Sequence, residues 1–293
     1  MSKINRIKTK LNIHSTRRSL LMLEGEYTSA LKGKSLDFDD LREYSYGDDV
    51  RDIDWRASAK NQNPLVKRYV ANRRHNVLFV VDTSITMRAA APDYQPKYEL
   101  AAEVIGLLGY IAVKHTDNVG LAVINGSGKF ERMKFMGGET HLNRILDMVE
   151  NVTNANESLV DITELLSKTN NATNGRTIMV VIANEAVPSP ELKTTLRKIK
   201  HRHDLLWVSI ADINPASVPT SYSVMDIAEY FDIPEGLRAD ADLIKNIQEE
   251  DLRRKTELND FLTGMHVTSG IISTSSEILP NLLSMLKRRE REK

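Results

Sequence analysis

The chain has no cysteine among its 293 residues. That excludes disulfides, thiolate metal sites and cysteine nucleophiles, and it suits a reducing compartment. It has no excess of charge either: 40 Lys and Arg balance 40 Asp and Glu. No overall field therefore draws it toward nucleic acid or an anionic membrane. No apolar run approaches the roughly 18 residues of a membrane span, and the basic amino terminus lacks the apolar core of a signal peptide. These absences predict a cytoplasmic protein with no nucleic-acid partner. Familiar catalytic signatures are missing as well. There is no HExxH and no GxSxG. Asn125–Phe130 (NGSGKF) lacks the upstream glycine of a phosphate loop and carries Phe130 where Ser or Thr is required. The acidic stretch from Asp37 to Asp54 has no glycine at the offset that an EF-hand requires. Neither repeats nor low-complexity segments occur.

What is present centres on Asn76–Met87, NVLFVVDTSITM. Val77–Val81 form a continuous apolar run, the pattern of a strand covered on both faces. From there strands and helices alternate, which predicts βα units around a parallel sheet. Expected strands are Asn118–Ile124, Thr177–Ile182, Leu205–Ala211 and Val267–Ser273. The turn at Asn125–Gly128 reads as a hairpin leading into an antiparallel edge strand, Lys129–Met136. Residues 212–236 are irregular and contain three prolines. A long charged helix is expected over Ala239–Leu262 and a last helix over Leu279–Lys287. Ahead of the sheet, residues 1–34 are mostly basic and partly helical, with Leu20, Leu21, Leu23, Tyr27 and Leu31 as one apolar face and Gly33 as its stop. Ser35–His75 is dense in charge, aromatic residues and turn formers, with Leu65–Val70 as an edge strand. Two parts are expected: an N-terminal appendage over 1–74 and an α/β domain over 75–293.

The chemistry gathers after the first strand. Asp82, Ser84 and Thr86 place a carboxylate and two hydroxyls at alternate positions where a strand hands over to a helix. Ligands of open α/β sheets sit at such carboxyl ends, and a hard cation such as Mg²⁺ takes oxygen ligands. Thr140, in the Gly137-Gly138 loop before a helix, is a candidate third hydroxyl. The alternative is that Ser84 and Thr86 cap the structure that follows. His201 and His203 read as favourable charges at a helix end.

This D-x-S-x-T pattern, with a threonine in a glycine-rich loop, resembles the metal-ion-dependent adhesion site (MIDAS) of von Willebrand factor A-type domains. The region FDDLREYSYGDDVRDIDWRASAKNQNPLVKRY resembles the hallmark of a large bacterial family, the fifty-eighth in the domain-of-unknown-function series. Leu41, Arg42, Glu43, Tyr44, Gly47, Asp48, Asp49, Arg51, Ile53, Asp54, Trp55, Ser58 and Ala59 carry that pattern. The resemblance implies a Rossmann-like, doubly wound, mostly parallel von Willebrand factor A-type sheet. It also implies one Mg²⁺ or Mn²⁺ ion held at Asp82, Ser84, Thr86 and Thr140, and a partnership with a MoxR-type AAA+ ATPase in protein assembly or maturation. In this chain the fifth site position, usually Asp, is Asn184, which keeps a hydrogen bond to a metal-bound water but loses one negative charge. Glu185 is placed to compensate if it turns inward. Thr86 stands for the more usual serine.

Mg²⁺ holds its waters tightly, so such a site keeps an open position for an acidic side chain of a protein partner. The expected activity is recognition rather than turnover, with no catalytic residue assigned. Two alternatives stand beside it: a metal-dependent phosphohydrolase, and a structural A-domain that has lost its metal. Arg42, Glu43, Asp48, Asp49, Arg51, Asp54 and Trp55 form either an ion-pair lattice or a partner-docking surface.

Overall fold

A strand that is apolar on both faces stays out of water only if helices cover it from both sides. The structure is a computed structural model that describes residues 3–14, 17–32, 37–59, 63–70, 74–219, 221–234 and 240–291. Its elements run α1 (Lys3–His14), α2 (Arg17–Tyr27), β1 (Asp37–Glu43), α3 (Trp55–Ser58), β2 (Leu65–Val70), β3 (Asn76–Val81), α4 (Lys97–Lys114), β4 (Asn118–Ile124), β5 (Phe130–Met136) and α5 (Glu139–Ala155). Then follow α6 (Ile162–Ala172), β6 (Ile178–Ala183), α7 (Pro190–Arg202), β7 (Asp204–Ile210), the short pair β8 (Met225–Asp226) and β9 (Phe231–Asp232), a long helix Ala241–Gly264, β10 (Thr268–Ile272) and a C-terminal helix Ile278–Arg291.

Six strands form one sheet in the order β10-β7-β6-β3-β4-β5. All are parallel except the edge strand β5, which pairs antiparallel with β4. Val77, Phe79 and Val81 face one apolar layer with α4 and α5 residues, whereas Leu78 and Val80 face the other with residues of α6 and α7. The result is a mixed α/β fold of Rossmann-like kind, a mostly parallel sheet flanked by helices on both faces.

Contacts divide the chain into residues 1–31 with 75–293, and residues 32–74. The expected appendage over 1–74 is thus split, because its first two helices have no core of their own. Ile4, Ile7, Leu23, Tyr27 and Ala30 are buried in the same apolar layer as α4. Gly106 on α4 makes room for α1: a Cβ there would lie 2.7 Å from Ile7 Cδ1. Leu21, expected on the apolar face, is 56% exposed. The helix stop assigned to Gly33 lies outside the described residues. In the smaller unit β1 and β2 pair antiparallel, so Leu65–Val70 belongs to a two-stranded sheet of its own.

Tyr27 is tied down by chemistry as well as packing. Its hydroxyl donates to Asp117 Oδ2 at 2.9 Å, and the other carboxylate oxygen accepts from the His75 backbone N–H at 2.9 Å. Burial, then the Asp117 charge, pushes the phenol well above its ordinary value. A folded-state value raised in this way stabilises the fold below the ordinary tyrosine value of about 10, and that stability is lost as pH rises through the folded value. Tyr27→Phe is therefore expected to cost about 1–3 kcal/mol at neutral pH by removing a donor from a buried carboxylate. Urea unfolding at about pH 8 and about pH 11 should show the gap between the two proteins narrowing at the higher pH.

Candidate functional site

The sheet order places its switch point between β3 and β6. From β3 the chain moves to β4 on one side, and only later returns to build β6 on the other. The following helices, α4 and α7, leave on opposite faces, which opens a crevice at the carboxyl ends of the two strands. Asp82 follows β3 there and Asn184 follows β6. The Asp82 backbone N–H donates to Ile182 O at 2.8 Å, which zips the first residue beyond β3 to its neighbour.

Asp82 is buried, and its Oδ1 accepts from the Ser84 backbone N–H at 2.8 Å. Burial raises its carboxyl above the usual range. The Ser84 N–H and hydroxyl, the Asn184 N–H and the Lys97 charge pull the other way. Ser84 begins a 3-10 turn, Ile85–Arg88, yet its side chain makes no capping bond. Its Oγ lies 2.7 Å from Thr86 Oγ1 instead. The capping alternative therefore fails for Ser84: the two hydroxyls point at each other beside the carboxylate.

Asp82, Ser84, Thr86, Asn184 and Glu185 line one cavity of about 960 Å³. Asn184 Oδ1 accepts from the Glu185 backbone N–H at 2.8 Å. Glu185 does turn inward, but its Oε1 sits 3.6 Å from Lys255 Nζ, and burial pushes its carboxyl up against the pull of that ammonium.

Thr140 is not brought to this place. It is exposed in the first turn of α5, after β5. Because β5 is antiparallel, its last residue, Met136, pairs with Val119 at the start of β4. The loop that follows therefore lies at the amino edge of the sheet, opposite Asp82. The third loop at the site is 156–161 instead, between α5 and α6. Leu159, Val160 and Asp161 line the same cavity as Asp82. Asn156, fully buried, fixes that loop: its Nδ2 donates to Thr83 O at 2.8 Å, its Oδ1 accepts from the Ser158 N–H at 2.9 Å, and Ser158 O accepts from the Ile85 N–H at 3.0 Å. Lys97, fully buried at the start of α4, pairs with Asp212. Neither Asn156 nor Lys97 carries a sequence signal, since each is a lone polar residue whose partners come from distant loops.

Octahedral Mg²⁺ with ligands at 2.0–2.1 Å sets adjacent ligands about 2.9 Å apart, close to the separation of the Ser84 and Thr86 oxygens. One carboxylate, two hydroxyls and a neighbouring amide fit a partly hydrated hard cation. Among the described residues no group of three or more His, Asp or Glu side chains is placed to hold a metal, so any cation here depends on hydroxyl donors.

The hallmark residues fall in the smaller unit. Arg42 Nη2 pairs with Asp48 Oδ1 at 2.5 Å, which raises the guanidinium and lowers the Asp48 carboxyl. The remaining acids mostly build turns. Asp49 accepts from the Arg51 N–H, and Asp54 caps α3 through the N–H groups of Arg56 and Ala57. Glu43 accepts from Asn63 Nδ2. Trp55, at 65% exposed, stands out from this frame with Tyr46 and Val50.

His203 departs from expectation. It is buried, and burial, then the Arg202 charge, lowers its pKa. A favourable positive charge at the helix end is thus not its role.

Comparison with known proteins gives a match to a family described as "Protein of unknown function DUF58" over residues 40–229. The uncharacterized proteins Rv1480 of Mycobacterium tuberculosis and Mb1516 of Mycobacterium bovis are each 23% identical over 226 residues, covering 75% of this chain and 70% of theirs. Among solved structures, the conserved hypothetical protein BatB from Bacteroides thetaiotaomicron aligns at 14% identity over 74% of this chain and 99% of its own, with TM-score 0.45. The PilB minor pilin from Streptococcus sanguinis aligns at 10% identity over 79% and 66%, also at 0.45. No helix among the described residues is long and apolar enough to cross a membrane.

Asn156→Ala removes both bonds that hold the 156–161 loop against the Asp82 loop. It is expected to cost about 1–3 kcal/mol and to speed amide exchange at Ile85 and Ser158, measured by hydrogen–deuterium exchange, while amides of β7 keep their protection.

Proposed function

This chain belongs to the DUF58 family of proteins of unknown function, and from that premise we propose that it is a non-catalytic adaptor. In this reading the domain is of von Willebrand factor A-type and the Asp82 loop is a MIDAS-like site for Mg²⁺ or Mn²⁺. The observation that carries it is the Ser84–Thr86 hydroxyl pair, 2.7 Å apart beside the buried Asp82 carboxylate at the switch point.

Asp82, Ser84 and Thr86 are the holding residues, with Asn184 positioned to bond a water. Thr140 is left out, because it lies at the other edge of the sheet. A bound cation supplies positive charge and an exchangeable position for a carboxylate oxygen of a partner. The backbone N–H groups of Ser84 and Asn184 favour the charged form of the Asp82 carboxyl against the larger opposing effect of its burial. The partner proposed from the family resemblance is a MoxR-type AAA+ ATPase, and exposed Trp55 with Tyr46 in the smaller unit offers a second contact for it, since aromatic anchors dominate protein interfaces.

The cation is tested by thermal and urea unfolding in MgCl₂ or MnCl₂. Wild type and Thr140→Ala are expected to gain about 2.7 kcal/mol at a hundred times the dissociation constant, whereas Asp82→Ala and Thr86→Ala gain nothing. An equal gain in Asp82→Ala would sink the assignment.

Binding of the ATPase, measured by co-purification, should weaken in EDTA and in Asp82→Ala. Trp55→Ala should weaken it while changing the stability of the chain by no more than about 0.5 kcal/mol, as expected of an exposed side chain. Binding untouched by any of these changes would remove both contacts from the proposal.

A further inference from the structure

A second cavity, of about 1030 Å³, adjoins the Asp82 site and shares Thr86 and Asn184 with it. Its other walls come from the turn after Ser84, the irregular stretch after β7, the β8–β9 pair and the long helix Ala241–Gly264. The Ile213 N–H donates to Ala90 O at 3.0 Å, which ties the irregular stretch to that turn.

Ile213, Val218, Val224, Ile227, Ile233 and Ile247 line the space. Each is only half-buried, and none enters either apolar layer of the sheet. Branched aliphatic side chains gathered around an open space hold water against apolar surface, which is unfavourable in proportion to the area. Tyr94 and Tyr222, 61% and 64% exposed, line it as well. Sites for small organic molecules have this character: a volume of up to about 1,000 Å³ and mainly apolar walls with a few polar groups.

The polar groups narrow the choice of molecule. Three carboxylates line the cavity, and each is engaged. Asp212 pairs with Lys97, and Asp251 with Lys255 at 2.6 Å. Asp226 Oδ1 accepts from the N–H groups of Ala228 at 2.8 Å and Glu229 at 3.1 Å. Arg254 reaches Asp251 at 4.0 Å. Arg88 is different. It ends the 3-10 turn Ile85–Arg88, is half-buried, and makes no hydrogen bond or ion pair with any described residue. Its guanidinium carries a planar fork of N–H donors that matches a carboxylate.

We infer that this cavity binds a small apolar carboxylate, with its hydrocarbon body against the six aliphatic side chains and its carboxylate on Arg88. An uncharged apolar molecule would leave the guanidinium without an acceptor. A small polar anion would leave the aliphatic walls wet. The inference goes beyond the adaptor reading: it stands on Arg88 and the aliphatic walls, and needs no cation at Asp82.

Isothermal titration of the full chain with octanoate, octanol and acetate tests this, in EDTA and at constant ionic strength. One octanoate per chain is expected to bind. Octanol should bind about tenfold more weakly, and Arg88→Gln should weaken octanoate about tenfold while leaving octanol unchanged, the loss expected for bonds to a charged group. Acetate should not bind, and Ile247→Trp, which fills the cavity, should abolish octanoate binding. If Ile247→Trp fails to fold, the isoleucine methyl signals of the wild type decide, read by NMR. Those of Ile213 and Ile247 are expected to shift with octanoate while that of Ile178 in the sheet stays fixed. Octanoate heat equal to dilution, octanol binding as tightly as octanoate, affinity unchanged in Arg88→Gln, or unmoved Ile213 and Ile247 signals would each overturn the inference. A short peptide ending in a free leucine carboxylate that binds more tightly than octanoate would overturn the small-molecule assignment in favour of a chain terminus.

Discussion

Covering both faces of β3 is the constraint on which this architecture rests. Alternate side chains of Val77–Val81 enter separate apolar layers, so the chain must supply helices to each side and the connections must cross over. Wherever neighbouring strands send their connections to opposite faces, their carboxyl ends are left uncovered. The opening between β3 and β6 is that place, and the first residues beyond each strand, Asp82 and Asn184, line it. The candidate site is thus a by-product of how a two-faced strand is buried, furnished with oxygen atoms.

Electrostatics at that opening is finely opposed. Removing a carboxylate from water favours its neutral form, and burial is the largest influence on Asp82. Its N–H donors and the Lys97 ammonium oppose that effect, and Lys97 is itself balanced by Asp212. A fully buried lysine beside a site proposed for a cation also limits how strongly a second positive charge is attracted. Together with Asn184 in place of an acid, this would give the proposed cation only a modest intrinsic affinity.

Much of this was legible from sequence, for definite reasons. Continuous apolar runs gave β3, β4, β6 and β7 to within a residue or two, because strands buried on both sides have no other pattern. Asp82, Ser84 and Thr86 stood together in the sequence since all three belong to one loop. Thr140 was misplaced although the turn at Asn125–Gly128 already indicated an antiparallel β5. A reversed edge strand delivers its following loop to the far edge, and that polarity outweighs any likeness of motif. The 156–161 loop that lines the cavity with Asp82 was hidden because α5 continues to Ala155, farther than its last buried aliphatic, Val149, suggests. Asn156 acts through backbone groups of Thr83 and Ser158, which no side-chain pattern encodes. Gly106 and Ile7 were equally unreadable, since their fit exists only once two distant helices meet.

The burial of α1 and α2 among later elements carries a consequence for synthesis. Tyr27 bonds Asp117, 90 residues onward, and the Ile4 backbone bonds Asn143, 139 residues onward. At about 5–20 residues per second, Tyr27 waits on the order of 5–20 s on the ribosome before its partner exists. During that interval Leu23, Tyr27 and Ala30 have no layer to enter. The strand partners of the smaller unit, β1 and β2, are both synthesised well before then, whereas the helices on its amino side still wait for theirs.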